Sequence, residues 1–460
     1  MYCGDETGSF VGDVGSHVAR FGYGGDDAPR YVVSSRGVEA SGKVLSSCYK
    51  SPVTEIRTVM QPPSMKDDAP LIDPVAYLSQ GECVYDWDAY QSVWEQALER
   101  MMVRHATKHR SRPVSLKTKN TETKSEAMND DSCTLDQPVV HPLLLVAPGC
   151  TDLASPSNQR KQIQQMTELC METWQCPALF VAPTPMLAAF AMGRSTATVV
   201  DLGAGGCRVT PLVDGLVLKQ AQRRNGRGGD WLDHVLWHAA LSQQATLRPR
   251  YQIRQTTSSA NNNSAFHRWA MQDLFQEFRT SEYTWPLSLT PPTNVPFSSP
   301  SLEDTTTPLG YQLPDGTTLN VSQDMCQVHE LLFSDSTPFI ESSSTMPPHA
   351  TLSNAPLHQL LHESLSAVGD VPMRKELASQ ILLVGGMAGV SQLAPALSSR
   401  LRWPSAFTPK IHCSPYLEER TSAGWIGGSI LTSLGSFQQL WLSQAEYEEY
   451  GSTLAVQRFP

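Results

Sequence analysis

The stretch Ala197-Thr198-Val199-Val200-Asp201-Leu202-Gly203-Ala204-Gly205-Gly206-Cys207-Arg208-Val209-Thr210 reads as an apolar strand, a glycine turn and a returning strand. A glycine turn of this kind exposes successive backbone N–H groups, which can cradle phosphate oxygens. An aspartate at the strand end can hold Mg²⁺ or Ca²⁺, directly or through water. The same arrangement occurs 188 positions earlier, where Phe10-Val11-Gly12-Asp13-Val14-Gly15-Ser16 leads into Val18 and on to Tyr23. One such hairpin carries little information, because glycine turns are common in β structure. Two in one chain point to duplicated lobes clamping a nucleotide from both sides. A third glycine site, Gly385-Gly386, follows the apolar run Ile381-Leu382-Leu383-Val384 and would let a nucleobase or ribose lie against bare backbone.

Strands and helices alternate around these hairpins, the pattern of an α/β protein. The spacing of Trp87, Tyr90, Trp94, Ala97, Leu98 and Met101 predicts a helix over 86–102, with Asp86 as a cap. Helices are also predicted over 158–174, 186–192, 267–282, 356–368, 393–401 and 425–434, and from Gly228-Gly229-Asp230 onward. Pro314-Asp315-Gly316 predicts a hairpin, and Ser443-Gln444-Ala445-Glu446 a capping box opening the last helix. Trp87, Trp94, Trp425 and Trp441 are expected in the core, and Asp26 and Asp27 in a turn.

Between these elements lie polar stretches. The 34–70 region is weakly periodic, holds four prolines, and is expected to be mobile with short strands. Arg104 to Lys124 contains seven Lys or Arg and one acid, so 104–137 is expected to be a solvated, disordered insert. Within it, Lys108-His109-Arg110-Ser111-Arg112 is a candidate import patch or phosphate contact. Further inserts are expected at 243–265, 286–308 (with six prolines) and 334–355.

Composition narrows the class. Only 17% of the 460 residues are charged, and the chain carries 33 prolines, as expected of polar inserts on an ordinary core. A net charge of −10 argues against a surface that coats nucleic acid throughout. No apolar run approaches the ~18–20 residues of a membrane helix, and no secretory signal or membrane role is expected. The ten scattered cysteines form no zinc spacing and are expected to be reduced thiols. The histidines are expected to provide no H-x-x-x-H on an acidic helix, so metal catalysis is not expected; no nucleophile elbow is visible, which leaves a Ser/His/Asp triad undecided by sequence.

Together the three glycine sites fit the actin, sugar-kinase and heat-shock ATPase architecture. Gly24-Gly25-Asp26-Asp27-Ala28-Pro29-Arg30 resembles actin nearly letter for letter. So do Trp425-Ile426-Gly427-Gly428-Ser429-Ile430-Leu431, Gly193-Arg194-Ser195-Thr196, and Phe437-Gln438-Gln439 with Trp441. The opening Tyr2-Cys3-Gly4-Asp5-Glu6-Thr7-Gly8, Asp86-Trp87-Asp88 and Tyr447-Glu448-Glu449-Tyr450-Gly451 are similar to the nuclear actin-related protein 4 subfamily rather than to conventional actins.

The resemblance implies a bilobal α/β fold, each lobe a mixed sheet flanked by helices, with a nucleotide cleft between them. The first lobe is expected over 1–191, the second over 192–420, and helices returning to the first lobe over 421–460. It further implies ATP with Mg²⁺ or Ca²⁺, held structurally. Asp13, Gly15, Ser16 and Arg20 match the first phosphate loop, Asp201, Gly203 and Gly205 the second, and Gly385 and Gly386 the adenosine side. Asp13 and Asp201 would hold the metal through water.

Several positions depart from actin. Arg20 stands where actin has a phosphate-contacting lysine, His17 where it has a glycine of the first turn, and Thr184 where it has the glutamine that orients attacking water. Arg208 and Ala204 replace a histidine and an aspartate of the second loop. Since phosphoryl transfer depends on positioning and charge around water, hydrolysis is expected to be slow or absent.

The implied role is that of a non-catalytic subunit of nuclear chromatin-remodelling and histone-acetyltransferase complexes, serving transcription and DNA repair. The implied partners are monomeric actin and a helical scaffold segment of a remodelling ATPase or acetyltransferase platform, with histones and nucleosomal DNA as further candidates. The scaffold would dock helix-in-groove near Met192-Gly193, Ile426 and Leu434. The alternative is a divergent conventional actin that hydrolyses ATP and forms filaments, whose repeated surfaces the inserts would disturb.

Overall fold

A computed structural model describes residues 8–40, 43–49, 71–72, 84, 87–109, 139–147, 156–243, 247–253, 265–284, 286–289, 309–335, 355–401, 403 and 408–459. β1 (Phe10–Val14) and β2 (Val18–Tyr23) form an antiparallel hairpin, which β3 (Tyr31–Ala40) and β4 (Lys43–Tyr49) extend, with β5 (Leu71–Ile72) pairing β3. On the other side of β1 lie β6 (Leu143–Ala147) and then β7 (Ala178–Pro183), both parallel to it. These inner strands are apolar on both faces, as strands covered from two sides must be.

The second sheet repeats the plan. β8 (Ala197–Leu202) and β9 (Cys207–Val213) form its hairpin, and β10 (Leu216–Val217) and β11 (Arg223–Asn225) both pair with β9. β12 (Leu309–Gln312) and β13 (Thr318–Val321) make a separate hairpin closed at Gly316. β14 (Ile381–Val384) lies parallel to β8, and β15 (Ile411–His412) parallel to β14. Finally β16 (Leu442–Ser443) returns to pair antiparallel with β7. In each sheet, then, the hairpin's first strand has the returning strand on one side and a parallel strand on the other.

Two large apolar clusters sit against these sheets. The first draws on residues from Phe10 to Leu187 and again from Trp425 to Phe459. The second draws on residues from Val200 to Leu397. Trp94, fully buried, packs edge-on to Phe21 at 5.0 Å and tilts against Trp174 at 5.6 Å. Truncating such a core aromatic to alanine costs about 3–5 kcal/mol. Trp425 is also fully buried, and its Nε1–H donates to the Val11 carbonyl at 3.1 Å, tying the Ala423–Ser433 helix to β1. Trp441 is buried as expected, while Trp87 is half-buried against the first cluster.

Most predicted helices form, and the Ser443–Glu446 capping box is present. The long helix runs Trp87–His109, so residues 104–109 continue it rather than begin a disordered insert. Ala, Arg and Lys are good helix formers, and the charge run does not stop the helix where the apolar stripe ends. The helix expected over 158–174 is Pro156–Glu168 followed by a π-helical turn, Leu169–Thr173, that carries Cys170 into the core. β3 and β4 are also longer than the short strands expected from 34 onward, because β3 is held extended by β2, and β4 by β3, despite weak periodicity. Asp86, residues 110–138 and most of the stretches expected as inserts lie outside the described residues.

Candidate functional site

The two hairpin turns and the loop after β14 face one cleft of about 330 Å³. Its lining includes Asp13, Gly15, Ser16, Arg20, Asp201, Gly203, Gly205, Gly385 and Gly386, so the residues matched to the two phosphate loops and the adenosine side meet there. The volume lies within the roughly 300–1,000 Å³ of small-ligand sites. At the first turn, Gly15 N–H closes the hairpin on the Val18 carbonyl at 3.1 Å, and the His17 carbonyl accepts from Ser35 N–H at 3.0 Å. At the second, Gly203 N–H donates to the Gly206 carbonyl at 2.9 Å. The Gly203 and Ala204 carbonyls in turn accept from Gly229 and Asp230 N–H at 3.1 and 2.9 Å. Those two donors open the Gly229–Ser242 helix and would otherwise lack an intrahelical partner. Gly228 is needed for this close approach, because a Cβ there would stand 2.2 Å from the Ala204 carbonyl oxygen.

The third loop is held as tightly. Gly385 has φ +100°, and its N–H donates to the Arg420 carbonyl at 2.9 Å. A Cβ at Gly385 would lie 2.5 Å from both Asp201 Oδ1 and the Leu202 carbonyl oxygen, so only glycine suits the backbone and the space.

Charge in the cleft is arranged in cross-strand pairs. Asp13 stands opposite Arg20 in the β1–β2 ladder, and Asp201 opposite Arg208 in the β8–β9 ladder. Burial pushes the Asp13 carboxyl up to about 6, with Arg20 pulling it down and Asp201 adding to the rise. Burial likewise lowers Arg20, while both aspartates oppose that shift. Arg208 is buried, with Nη1 3.9 Å from Asp201 Oδ2. Deeper in, Arg279 Nε donates to Asp233 Oδ1 at 2.5 Å, with both side chains buried. Arg224, Asp230 and Arg420 also reach the lining. Among the described residues the cleft thus counts five arginines against four aspartates.

This donor set suits a polyphosphate: two glycine turns, guanidinium groups and a loop open to a flat ring. It suits a divalent cation less well. Each of the two aspartates expected to hold the ion already faces a guanidinium, and no group of three or more His, Cys, Asp or Glu that could hold a metal is present among the described residues. Thr184 lines the cleft, but its hydroxyl donates to the Ala147 carbonyl at 2.9 Å. Ala204 and Arg208 likewise place no carboxylate or imidazole at the second turn.

Sequence reasoning missed Arg224, Arg279, Arg420, Asp230 and Asp233. Asp230 and Asp233 had a local signal, one turn apart after the Gly228-Gly229 helix start. Arg279 comes from the Ala265–Thr280 helix and Arg420 from Leu417–Thr421, and neither has one. Also missed was His234-Val235-Leu236-Trp237-His238, an H-x-x-x-H on the helix that carries Asp230 and Asp233. Its two Nε2 atoms lie 3.1 Å apart.

A second depression, of about 420 Å³, is lined by Met192, Ile426 and Ile430 among others; Gly193 and Leu434 fall outside its lining. Ile430 and Leu434 are both exposed. Asp26 is a turn residue as expected, its carboxylate 2.6 Å from Arg30 Nε. Five cysteines among the described residues are free thiols, and no described helix is long and apolar enough to cross a membrane.

The same chain can be set beside known proteins. A family model described as Actin matches residues 4–460. Actin-related protein 4 of Arabidopsis thaliana is 30% identical over 497 residues, with 100% of each chain covered. Actin-related protein 4 of Yarrowia lipolytica is 28% identical over 468 residues, covering 100% of this chain and 97% of that one. A Schizosaccharomyces pombe protein named SWI/SNF and RSC complexes subunit arp42 is 27% identical over 477 residues, with 98% of each chain covered.

Proposed function

The chain belongs to the actin family, and on that premise we propose that it is a non-catalytic actin-related subunit of nuclear chromatin complexes, holding ATP as a structural clamp. The observation that carries the nucleotide reading is the meeting of both Asp-x-Gly hairpins and Gly385-Gly386 in one cleft. Bound ATP supplies a polyanion and a flat base. The N–H groups of Ala204 and Gly205, with Arg20 and Arg208, would hold the phosphates, and the Gly385-Gly386 backbone would accommodate the adenosine. The lobes so bridged are 1–191, closed by 421–460, and 192–420.

Turnover needs a group that aligns water against the terminal phosphate. Thr184 occupies that place with its hydroxyl engaged by Ala147, so the nucleotide persists. Full-length similarity to proteins named actin-related protein 4, one relative being a named SWI/SNF and RSC subunit, supports a place in a remodelling or acetyltransferase assembly and hence the nucleus. There the chain pairs with monomeric actin on a scaffold helix, whose apolar face seats in the depression at Met192, Ile426 and Ile430.

Affinity purification of the tagged full-length chain from nuclei, read by mass spectrometry, tests this. Recovery of actin with a remodelling ATPase or acetyltransferase scaffold is the expected result. Recovery of neither, together with sedimentation of the pure chain as filaments in magnesium and salt, overturns it.

A further inference from the structure

The cleft carries its own cations where a nucleotide site of this kind would otherwise rely on a metal ion. Arg208 is buried, and its guanidinium lies 3.9 Å from Asp201 Oδ2. Arg20 faces Asp13 at the matching position of the other hairpin. Both arginines line the cleft between the two turns. A dication held through water by Asp13 and Asp201 would share that space with two like-charged guanidinium groups. A polyphosphate entering without metal would meet them directly and could accept paired hydrogen bonds from each planar fork. The lining as a whole favours the anion, with five arginines against four aspartates among the described residues. One of those arginines, Arg279, is neutralised by Asp233 and takes no part.

We propose that Arg20 and Arg208 take the place of the divalent cation, so that this cleft binds ATP without a metal ion. The inference rests on the nucleotide reading given above. It assigns the arginine at 208 a role that a histidine or other neutral side chain there could not fill. It also separates the two aspartates from metal binding: they orient the guanidinium groups across each hairpin rather than hold an ion.

Calorimetric titration of the nucleotide-free full-length chain with ATP tests it, in magnesium and again in EDTA. The wild-type affinity is expected to change by less than about threefold between the two buffers. Arg208→Gln is expected to weaken binding in EDTA by about tenfold or more, the loss of one charge-assisted contact, and magnesium should restore part of it. Arg208→Lys should keep most of the EDTA affinity, since the charge remains. Binding by the wild type in magnesium only would overturn the proposal while leaving the nucleotide reading intact. Equal EDTA affinity for wild type and Arg208→Gln would also overturn it. No binding in either buffer would remove the nucleotide reading and this inference with it. Should Arg208→Gln fail to give a cooperative melt, Arg20→Gln in the same two buffers serves in its place, with the same expected loss and the same contrary result.

Discussion

At the first hairpin, the turn Gly15-Ser16-His17 is braced from one side by β3, through Ser35 N–H on the His17 carbonyl. At the second, the turn Gly203 to Gly206 is locked from behind by the start of a helix, with Gly228 so placed that a Cβ there would stand 2.2 Å from the Ala204 carbonyl oxygen. The carboxylates differ too. Asp13 is buried enough that its carboxyl rises to about 6 despite Arg20, whereas Asp201 has a guanidinium within 3.9 Å. The same strand–turn–strand plan therefore gives one turn resting on a sheet and carrying a costly charge, and one turn built into its helix–sheet packing with its charge paired.

The contrast can be broken by mutation. Arg279→Ala leaves Asp233 buried without its cation beneath the second turn and should cost about 3–5 kcal/mol. The readout is the urea midpoint at unchanged m-value. Gly228→Ala should cost about 3 kcal/mol in the same assay, since the new Cβ meets backbone. Gly15→Ala, whose Cβ would stand 3.0 Å from the Val18 carbonyl oxygen, should cost about 1 kcal/mol. Equal losses at the two glycines would show that the turns are held alike.

Substituting the aspartates should give opposite signs. Asp13 has its carboxyl raised by burial, so ionising it weakens the nucleotide-free fold. Its contribution is fully present below the unfolded-state value near 4 and is lost as pH rises through about 6. Asp13→Asn should therefore stabilise the nucleotide-free chain at pH 7 by about 1–3 kcal/mol and remove that stretch of the stability–pH curve. Asp201→Asn removes the carboxylate that faces buried Arg208 and should destabilise by about 1–3 kcal/mol at the same pH. Urea titrations from pH 4 to 8 separate the two. The smallest effect is expected at Arg30→Ala, which breaks the exposed pair with Asp26: about 0.5 kcal/mol, falling further in high salt.

The two halves of the cleft were not equally legible in sequence. Aspartate–glycine turns are local, so Asp13, Gly15, Asp201, Gly203 and Gly385 could be read from short windows, and the structure gathers them. The helix Trp87–His109 was placed by its apolar stripe, yet its last turns were missed because propensity, not periodicity, carries them. Arg224, Arg279 and Arg420 reach the cleft only through the packing of elements distant in the chain. No window around them predicts that arrival. The pairing of Arg208 with Asp201 is intermediate. It follows once the register of a four-residue turn is known, since the two residues then face each other across the ladder.

The proposed function is that of a cleft that would retain ATP without consuming it. Its most direct test loads the purified chain with ATP, follows phosphate release over multiple turnovers, and identifies the nucleotide still bound at the end. Release no faster than spontaneous hydrolysis, with intact ATP recovered from the protein, is the predicted result. Sustained release at an actin-like rate, with the diphosphate recovered, would contradict it.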